Sequence, residues 1–147
     1  YVHDEGAAML GGISGHAGLF SNSYEVAIVL QAMIQKGKYD DFKLFSQDSF
    51  DQFNFCYFCD KENRSGVGFD KPQIEGRHGS TFGGVSSESF GHYGYTGSMA
   101  WADPDKNIIF IFLSNRTYPT RENTLLQTSN TRTRSQEIVY KSLLDYK

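Results

Sequence analysis

The chain has 147 residues, of which 39% are hydrophobic and 15% aromatic, and its formal net charge at pH 7 is -3. This length can bury one ordinary core, and the charge offers no basic surface for nucleic acid. The longest apolar run, residues 108–113, is much shorter than a membrane span requires. We therefore expect one globular domain over residues 1–147, with no nucleic-acid partner and no membrane span.

The first part of the chain predicts a glycine-rich loop and two helices. Residues 1–21 contain five glycines among small and apolar residues, which indicates a folded loop packed against another surface. A helix is predicted over 22–36, because Ser21 or Asn22 can cap it and Gly37 can end it. Its apolar residues recur at helical spacing, at Val26, Val29, Leu30 and Met33. Ser46 is placed to cap a second, shorter helix that ends near Phe53.

The second half predicts antiparallel strands and a final helix. Residues 60–91 are rich in glycine and polar residues, which favours a loop with one short strand at 66–71. Two strands, "SMAWAD" and "NIIFIFLSNR", flank a turn at "DPDK". The second strand is apolar on both faces, so we expect it to be central and covered on both sides.

The C-terminal helix is predicted to open at Thr133, which lies three residues before Gln136. Its expected apolar stripe consists of Ile138, Val139, Leu143 and Leu144. Taken in order, the elements predict an α+β fold in which helices flank an antiparallel sheet.

Several residues have both a structural and a functional interpretation. Cys56 and Cys59 form a single C-x-x-C, consistent with structural thiols, a local disulfide or, less well without a βαβ context, a redox pair. His3, Asp4 and Glu5 resemble metal ligands, but neighbours on an extended strand point to opposite faces, so no metal is expected. His16, in "GHAG", is interpreted as structural. His92, in "GHYG", fits a plain loop residue or a catalytic one.

Four segments carry a family resemblance: "GGISGHAGLFSNSYEVA", "GHYGYTG", "DPDKNIIFIFLSNR" and "TYP". In this order they resemble the C-terminal part of the serine β-lactamase and penicillin-binding-protein-like superfamily, on the branch with class C β-lactamases. They are also similar to β-lactamase-like domains attached C-terminally to family 3 glycoside hydrolases in Bacteroides-like bacteria. The resemblance implies a partial β-lactamase/transpeptidase-like fold and a periplasmic or cell-envelope location.

The resemblance also implies a set of site residues. "HYG" matches the His-x-Gly motif of the strand that borders the active site, so His92 would join the catalytic hydrogen-bond network. Gly94 would leave room for the acyl group, and the Tyr95 N–H would complete the oxyanion hole. Tyr93, Thr120 and Arg121 are the implied substrate-binding residues, with Arg121 suited to a substrate carboxylate. No cofactor is implied.

The chain departs from the family pattern at the nucleophile. No serine is followed three residues later by lysine, and no tyrosine is followed two residues later by asparagine. We therefore expect the nucleophile, the general base and the N-terminal strands to come from an upstream part of the same polypeptide. On this interpretation the chain is the C-terminal part of a hydrolase acting on a small-molecule or peptide substrate, and is inactive alone.

Two other interpretations remain open. The chain could be a non-catalytic binding or structural module on the same fold, or "CYFC" and the histidines could form a metal-binding module. If the chain is a fragment of the resembled fold, the strand at 108–113 lacks its partner from the N-terminal part, and we expect self-association through this edge.

Overall fold

The computed structural model describes residues 2–73 and 79–144. Residues 1, 74–78 and 145–147 lie outside this description, and with them part of the predicted loop at 60–91. The described helices are α1 (Glu5–Met9), α2 (Ser23–Ile34), α3 (Gln47–Asn54), a 3₁₀ helix (Cys59–Lys61), α4 (Leu125–Thr128) and α5 (Thr131–Leu144). The described strands are β1 (Lys38–Tyr39), β2 (Phe42–Lys43), β3 (Phe90–Tyr93), β4 (Met99–Asp103) and β5 (Ile108–Phe112).

The main sheet is antiparallel, with strand order β3-β4-β5. His92 pairs with Ala100, and Trp101 pairs with Phe110. The strands β4 and β5 form the predicted hairpin, and β1 and β2 form a separate two-stranded ribbon. The predicted α+β arrangement of helices around an antiparallel sheet is confirmed.

The two faces of the sheet build two cores, because alternate side chains of a strand point to opposite faces. On one face, Phe90 and Ala102 pack with Leu30 of α2 and Phe50 of α3. On the other face, the buried cluster consists of Met99, Trp101, Ile108, Phe110 and Tyr140 of α5.

The strand β5 is covered on both faces, as predicted, but it is not central. Ile108 and Phe110 face the α5 side, while Ile109 and Ile111 face the α2 side. Among the described residues β5 pairs only with β4, so it forms an edge of the sheet. An apolar pattern on both faces of a strand predicts that both faces are covered. It does not predict whether another strand pairs with each of its edges.

The predicted capping residues are found at the ends of α2 and α3. The Asn22 side chain caps α2 by accepting a hydrogen bond from the Glu25 N–H at 3.1 Å. Ser46 caps α3 by accepting from the Ser49 N–H at 3.1 Å. After α2, Gly37 adopts a φ of +95° and its N–H donates to the Ala32 carbonyl at 2.8 Å, as a helix-terminating glycine does.

The prediction for the C-terminal helix was wrong in its start and its buried face. The helix α5 begins at Thr131, two residues earlier than predicted, and buries Gln136 and Tyr140. The predicted apolar stripe is exposed, and its members are Ile138, Val139, Leu143 and Leu144. Tyr140 takes the core position because its ring packs edge-on against Phe82, at 4.9 Å between ring centres.

Two further predictions need correction. The N-terminal segment contains α1, and its large apolar side chains are mostly exposed at Met9, Ile13, Leu19 and Phe20. The described part of the chain therefore leaves most of this apolar surface uncovered, although Ala7 of α1 is buried. The predicted strand at 66–71 is reduced to isolated bridges of Asp70 with Ser65 and Gly91.

Asp103 ties the sheet to its surroundings at the end of β4. The buried carboxylate accepts hydrogen bonds from the Ser86 N–H at 2.9 Å, the Ser86 hydroxyl at 2.5 Å and the Lys106 N–H at 3.2 Å. The Tyr140 hydroxyl donates to it at 3.3 Å. Burial, and then the charge of Asp103, raise the pKa of Tyr140.

Candidate active site

A tight hairpin loop follows the His-x-Gly strand β3. The Gly94 N–H donates to the Ser98 carbonyl at 2.8 Å, and the Gly97 N–H donates to the Gly94 carbonyl at 2.9 Å. Gly97 adopts a φ of +96°, the left-handed conformation that such three-residue loops place at their last position. This pattern puts Tyr95 at the tip of the turn.

The three glycines around this strand serve different needs. A Cβ at Gly91 would overlap the Ala100 carbonyl and the Trp101 ring, so close packing requires that glycine. A Cβ at Gly97 would lie 2.6 Å from the Ser114 Oγ and would overlap the Leu126 side chain. A Cβ at Gly94 would meet nothing closer than 3.6 Å, so packing within the chain does not require glycine there.

His92 and Tyr93 point to opposite faces of the sheet. The exposed His92 ring places Nδ1 2.8 Å from the Tyr93 carbonyl oxygen, and its Nε2 has no partner among residues 2–73 and 79–144. The Tyr93 ring is half-buried, with the Arg132 guanidinium 4.3 Å from its centre. Burial raises the pKa of Tyr93 to about 12. These contacts are those of a packing residue, and a substrate contact for Tyr93 stays a prediction.

Arg116 fastens the hairpin tip to the loop that follows β5. Its Nε donates to the Tyr95 carbonyl at 2.9 Å, and its guanidinium carbon lies 4.7 Å from the centre of the Tyr95 ring. Its Nη1 donates to the Arg121 carbonyl at 3.0 Å, and its backbone N–H donates to the Thr96 carbonyl at 2.8 Å. Arg116 was not among the predicted site residues, although it directly precedes the "TYP" motif.

A cleft of about 570 Å³ opens beside the hairpin tip. It brings together Tyr95, Thr120 and Arg121, three of the predicted site residues, whereas His92, Tyr93 and Gly94 lie outside its lining. The rest of its wall consists of Thr117, Pro119, His3, Asp4, Glu5 and Gly6. The N-terminal residues were not predicted to lie here, because only tertiary folding brings them to this loop.

The Tyr95 N–H is unpaired within residues 2–73 and 79–144. It donates to no acceptor in the described part of the chain, although its carbonyl is held by Arg116. An unpaired backbone N–H at a fixed turn is the kind of donor that stabilises a developing oxyanion. The arrangement can therefore supply one oxyanion donor, a guanidinium and hydroxyl groups around a single cleft.

A hydrogen-bond chain stiffens the N-terminal wall of the cleft. The Asp4 Oδ1 caps α1 by accepting from the Ala7 N–H at 2.7 Å, and it lies 3.0 Å from the His16 Nε2. The His16 Nδ1 lies 2.6 Å from the Ser14 Oγ. The bond from the Ala7 N–H, and then that from His16, lower the pKa of Asp4. These contacts agree with the structural interpretation of His16.

The cysteines form a local disulfide, with 5.5 Å between the Cα atoms of Cys56 and Cys59. Of the alternatives left open by the C-x-x-C spacing, the local disulfide is the one observed. The bond occupies both thiols, which removes the cysteine ligands of a metal-binding module in this oxidised state. Within residues 2–73 and 79–144, no three His, Cys, Asp or Glu side chains are grouped as metal ligands.

The chain has helices on both faces of an antiparallel sheet and a His-x-Gly strand whose hairpin tip borders a cleft. This combination is typical of the β-lactamase and penicillin-binding-protein class. The family model described as "Beta-lactamase" matches residues 2–131, and the chain belongs to this family. The predicted resemblance to the β-lactamase and penicillin-binding-protein-like superfamily, and the partial β-lactamase-like α+β fold, are thereby confirmed.

The chain is similar to curated bacterial proteins named "Putative D-alanyl-D-alanine carboxypeptidase". It is 38% identical over 120 residues to the protein from Escherichia coli O157:H7 and 37% identical over 120 residues to that from strain K12. It is 35% identical over 119 residues to the protein from Salmonella enteritidis PT4. These matches cover 78% of this chain and 26% of each relative, so the chain spans about a quarter of their length.

Within the described ranges, none of the helices combines the length and the apolar character that crossing a bilayer requires.

Proposed function

We propose that this chain supplies the His-x-Gly strand and the substrate rim of a serine acyl-transfer hydrolase. The observation that carries the proposal is the free Tyr95 N–H at the hairpin tip, beside a cleft that also contains Thr120 and Arg121. In acyl transfer, a serine Oγ attacks the carbonyl carbon of an amide, β-lactam, peptide or ester, and negative charge develops on the carbonyl oxygen.

Each residue has a role in this proposal that its surroundings permit. The Tyr95 N–H faces the developing oxyanion, and Gly94 leaves the adjacent strand edge open to the acyl group. The unpaired Nε2 of His92 can hydrogen-bond to a serine, a tyrosine or the substrate. Arg121 is exposed at the cleft and can bind a carboxylate with two parallel hydrogen bonds.

A peptide that ends in D-alanine is the substrate we favour. The relatives are named as D-alanyl-D-alanine carboxypeptidases, and such a peptide presents a terminal carboxylate next to the scissile amide. A cleft that is lined by both Tyr95 and Arg121 supports this choice.

We further propose that an upstream part of the polypeptide provides the nucleophile on a Ser-x-x-Lys segment and covers the exposed apolar residues Met9, Leu19 and Phe20. In the same proposal, that upstream part could also include a family 3 glycoside hydrolase. A cell-envelope location, periplasmic where there is an outer membrane, agrees with the disulfide, because disulfides persist in oxidising compartments.

The test uses a fluorescent penicillin on the complete open reading frame that contains this chain. We expect one acyl adduct on a serine that is followed three residues later by lysine, and no adduct on the 147-residue chain alone. His92→Ala in the complete protein should slow acylation by at least about 100-fold. The matched control is His16→Ala, which should lower the melting temperature and leave the acylation rate of the folded protein nearly unchanged.

Two results would overturn this proposal. Equal rate losses for both histidine variants at unchanged melting temperature would show that the catalytic histidine was wrongly assigned. A complete protein that binds a D-alanyl-D-alanine peptide but is never acylated would be a binding module. A binding module remains the second candidate function, because this chain contains no Ser-x-x-Lys.

A further inference from the structure

The Cys56–Cys59 disulfide lies at the surface, between the end of α3 and the 3₁₀ helix. Both cysteines are only half-buried, and the two residues between them, Tyr57 and Phe58, are exposed by 50% and 52%. Dissolved thiols can therefore approach the bridge.

The chain around the bridge is held by hydrogen bonds that do not depend on it. The Phe58 carbonyl accepts from the Lys61 N–H at 2.9 Å and from the Asn63 N–H at 3.2 Å. The Val67 N–H also donates to the Phe53 carbonyl at 2.7 Å, which joins the segment after the bridge to α3 before it. Opening the bridge leaves these connections in place.

The bridge also adds little as a covalent staple. A disulfide stabilises a fold by closing a loop in the unfolded chain, and this effect is smallest for short loops. Here the loop contains only the two residues between the cysteines. A bridge that constrains the unfolded chain so little is poorly explained by stabilisation alone.

We propose that Cys56 and Cys59 form a reversible thiol–disulfide exchange site for small thiols of the glutathione class. A thiolate attacks one Sγ, the S–S bond breaks, and the other cysteine leaves as a thiolate that takes up a proton. A second external thiol then releases the first as a disulfide. Two external thiols are oxidised to one disulfide, and the bridge is reduced to two cysteine thiols.

Reduction would change the surface next to the bridge. Phe55 and Tyr57 stack edge-on with 4.9 Å between ring centres, and the Lys61 Nζ lies 5.8 Å from the centre of the Phe58 ring. The disulfide links Cys56 to Cys59 across Tyr57 and Phe58. Opening it removes a covalent restraint, so the side chains of Tyr57 and Phe58 can move relative to α3. The exchange site is independent of the acyl-transfer proposal.

The experiment treats the native chain with reduced glutathione, without denaturant, then blocks free thiols with N-ethylmaleimide and measures the intact mass. We expect two added maleimides, an unchanged far-ultraviolet circular dichroism spectrum, and return of the disulfide on addition of oxidised glutathione. Treated with oxidised glutathione, Cys59→Ser should trap the mixed disulfide as a single glutathione adduct on Cys56, with release of one reduced glutathione. The control Cys56→Ser/Cys59→Ser should fold normally and gain no adduct.

Two outcomes would contradict the proposal. The bridge could stay oxidised in glutathione until the chain is unfolded with urea, which would show that small thiols do not reach it. Alternatively, reduction could abolish the native spectrum, which would show that the disulfide is a structural staple.

Discussion

Among residues 2–73 and 79–144, two charged side chains are buried, and they are accommodated in different ways. The Asp103 carboxylate accepts four hydrogen bonds, two from Ser86 and one each from the Lys106 N–H and the Tyr140 hydroxyl. Lys71 is 5% exposed, and within the described part of the chain its Nζ donates to neutral acceptors, the Asn54 Oδ1 at 3.3 Å and the Glu88 carbonyl at 3.2 Å. Desolvation by burial lowers the pKa of Lys71 to about 8. Keeping Lys71 charged at neutral pH therefore lowers the free energy of unfolding.

This difference predicts an unusual dependence of stability on pH. Between the folded pKa of about 8 and the ordinary lysine value of 10.5, the unfolded chain binds the Lys71 proton and the folded chain does not. The free energy of unfolding should therefore rise with pH in this window, by at most about 1.4 kcal/mol per pH unit, and stay flat with respect to Lys71 below it.

Urea denaturation at pH 7, 8, 9 and 9.5 measures this effect, and Lys71→Met is the control that should lose the rise. The upper limit stays below 10 because Tyr93 and Tyr140 have raised pKa values and lose their stabilising contributions above that pH. A wild-type slope equal to that of Lys71→Met would show that the lysine is better solvated than its burial indicates.

At the scale of single elements, the hairpin after β3 offers a matched pair of glycines. Gly97→Ala forces a left-handed alanine and brings its Cβ against Ser114 and Leu126, so we expect a loss of about 2 to 4 kcal/mol in the free energy of unfolding. Gly94→Ala meets no close neighbour and should cost less than about 1 kcal/mol. Urea denaturation followed by circular dichroism compares the two.

The same pair separates folding from the proposed chemistry. In the complete protein, Gly94→Ala should slow acylation by penicillin although the fold is retained, because the new methyl group occupies space kept for the acyl group. Acylation at the wild-type rate would mean that the acyl group approaches the hairpin from another side.

Short-range signals predicted the elements well, and long-range packing explains the failures. The caps at Asn22 and Ser46 and the β4–β5 turn depend on neighbouring residues, so the sequence specifies them directly. The buried face of α5 could not be predicted from polarity, because Tyr140 and Gln136 enter the core while four aliphatic residues face outward. Tyr95, Thr120 and Arg121 of the cleft could be predicted, because they lie in or beside recognisable motifs. Residues 3–6 could not, because only tertiary folding brings them to the cleft.

For the whole molecule, the surfaces left uncovered by the described residues are as informative as the core. Apolar side chains are exposed along the N-terminal segment and along the outer face of α5. The chain also matches only 26% of the length of its relatives. Both observations fit a fold whose remaining surface is covered by further polypeptide, which the proposed upstream segment would supply.

The open edge of β5 leads to a prediction about the state of this chain in solution. Gly94 is hydrogen-bonded to Ser98, and alternation along the antiparallel strands then directs the backbone N–H and carbonyl groups of Ile109 and Ile111 to the outer edge. Among the described residues nothing pairs with this edge. An apolar strand with an unpaired edge is a template for another strand.

We therefore expect the 147-residue chain to self-associate, with a mass that rises with concentration in light scattering and slow amide exchange at Ile109 and Ile111. Leu113→Lys places a charge at the exposed end of β5, which is 53% exposed in the wild type, and should shift the chain towards monomer without changing its circular dichroism. In that monomer the two amides should exchange fast, because only water remains as their partner. A wild-type chain that stays monomeric at high concentration, with fast exchange at Ile109 and Ile111, would show that an open apolar edge does not drive association here.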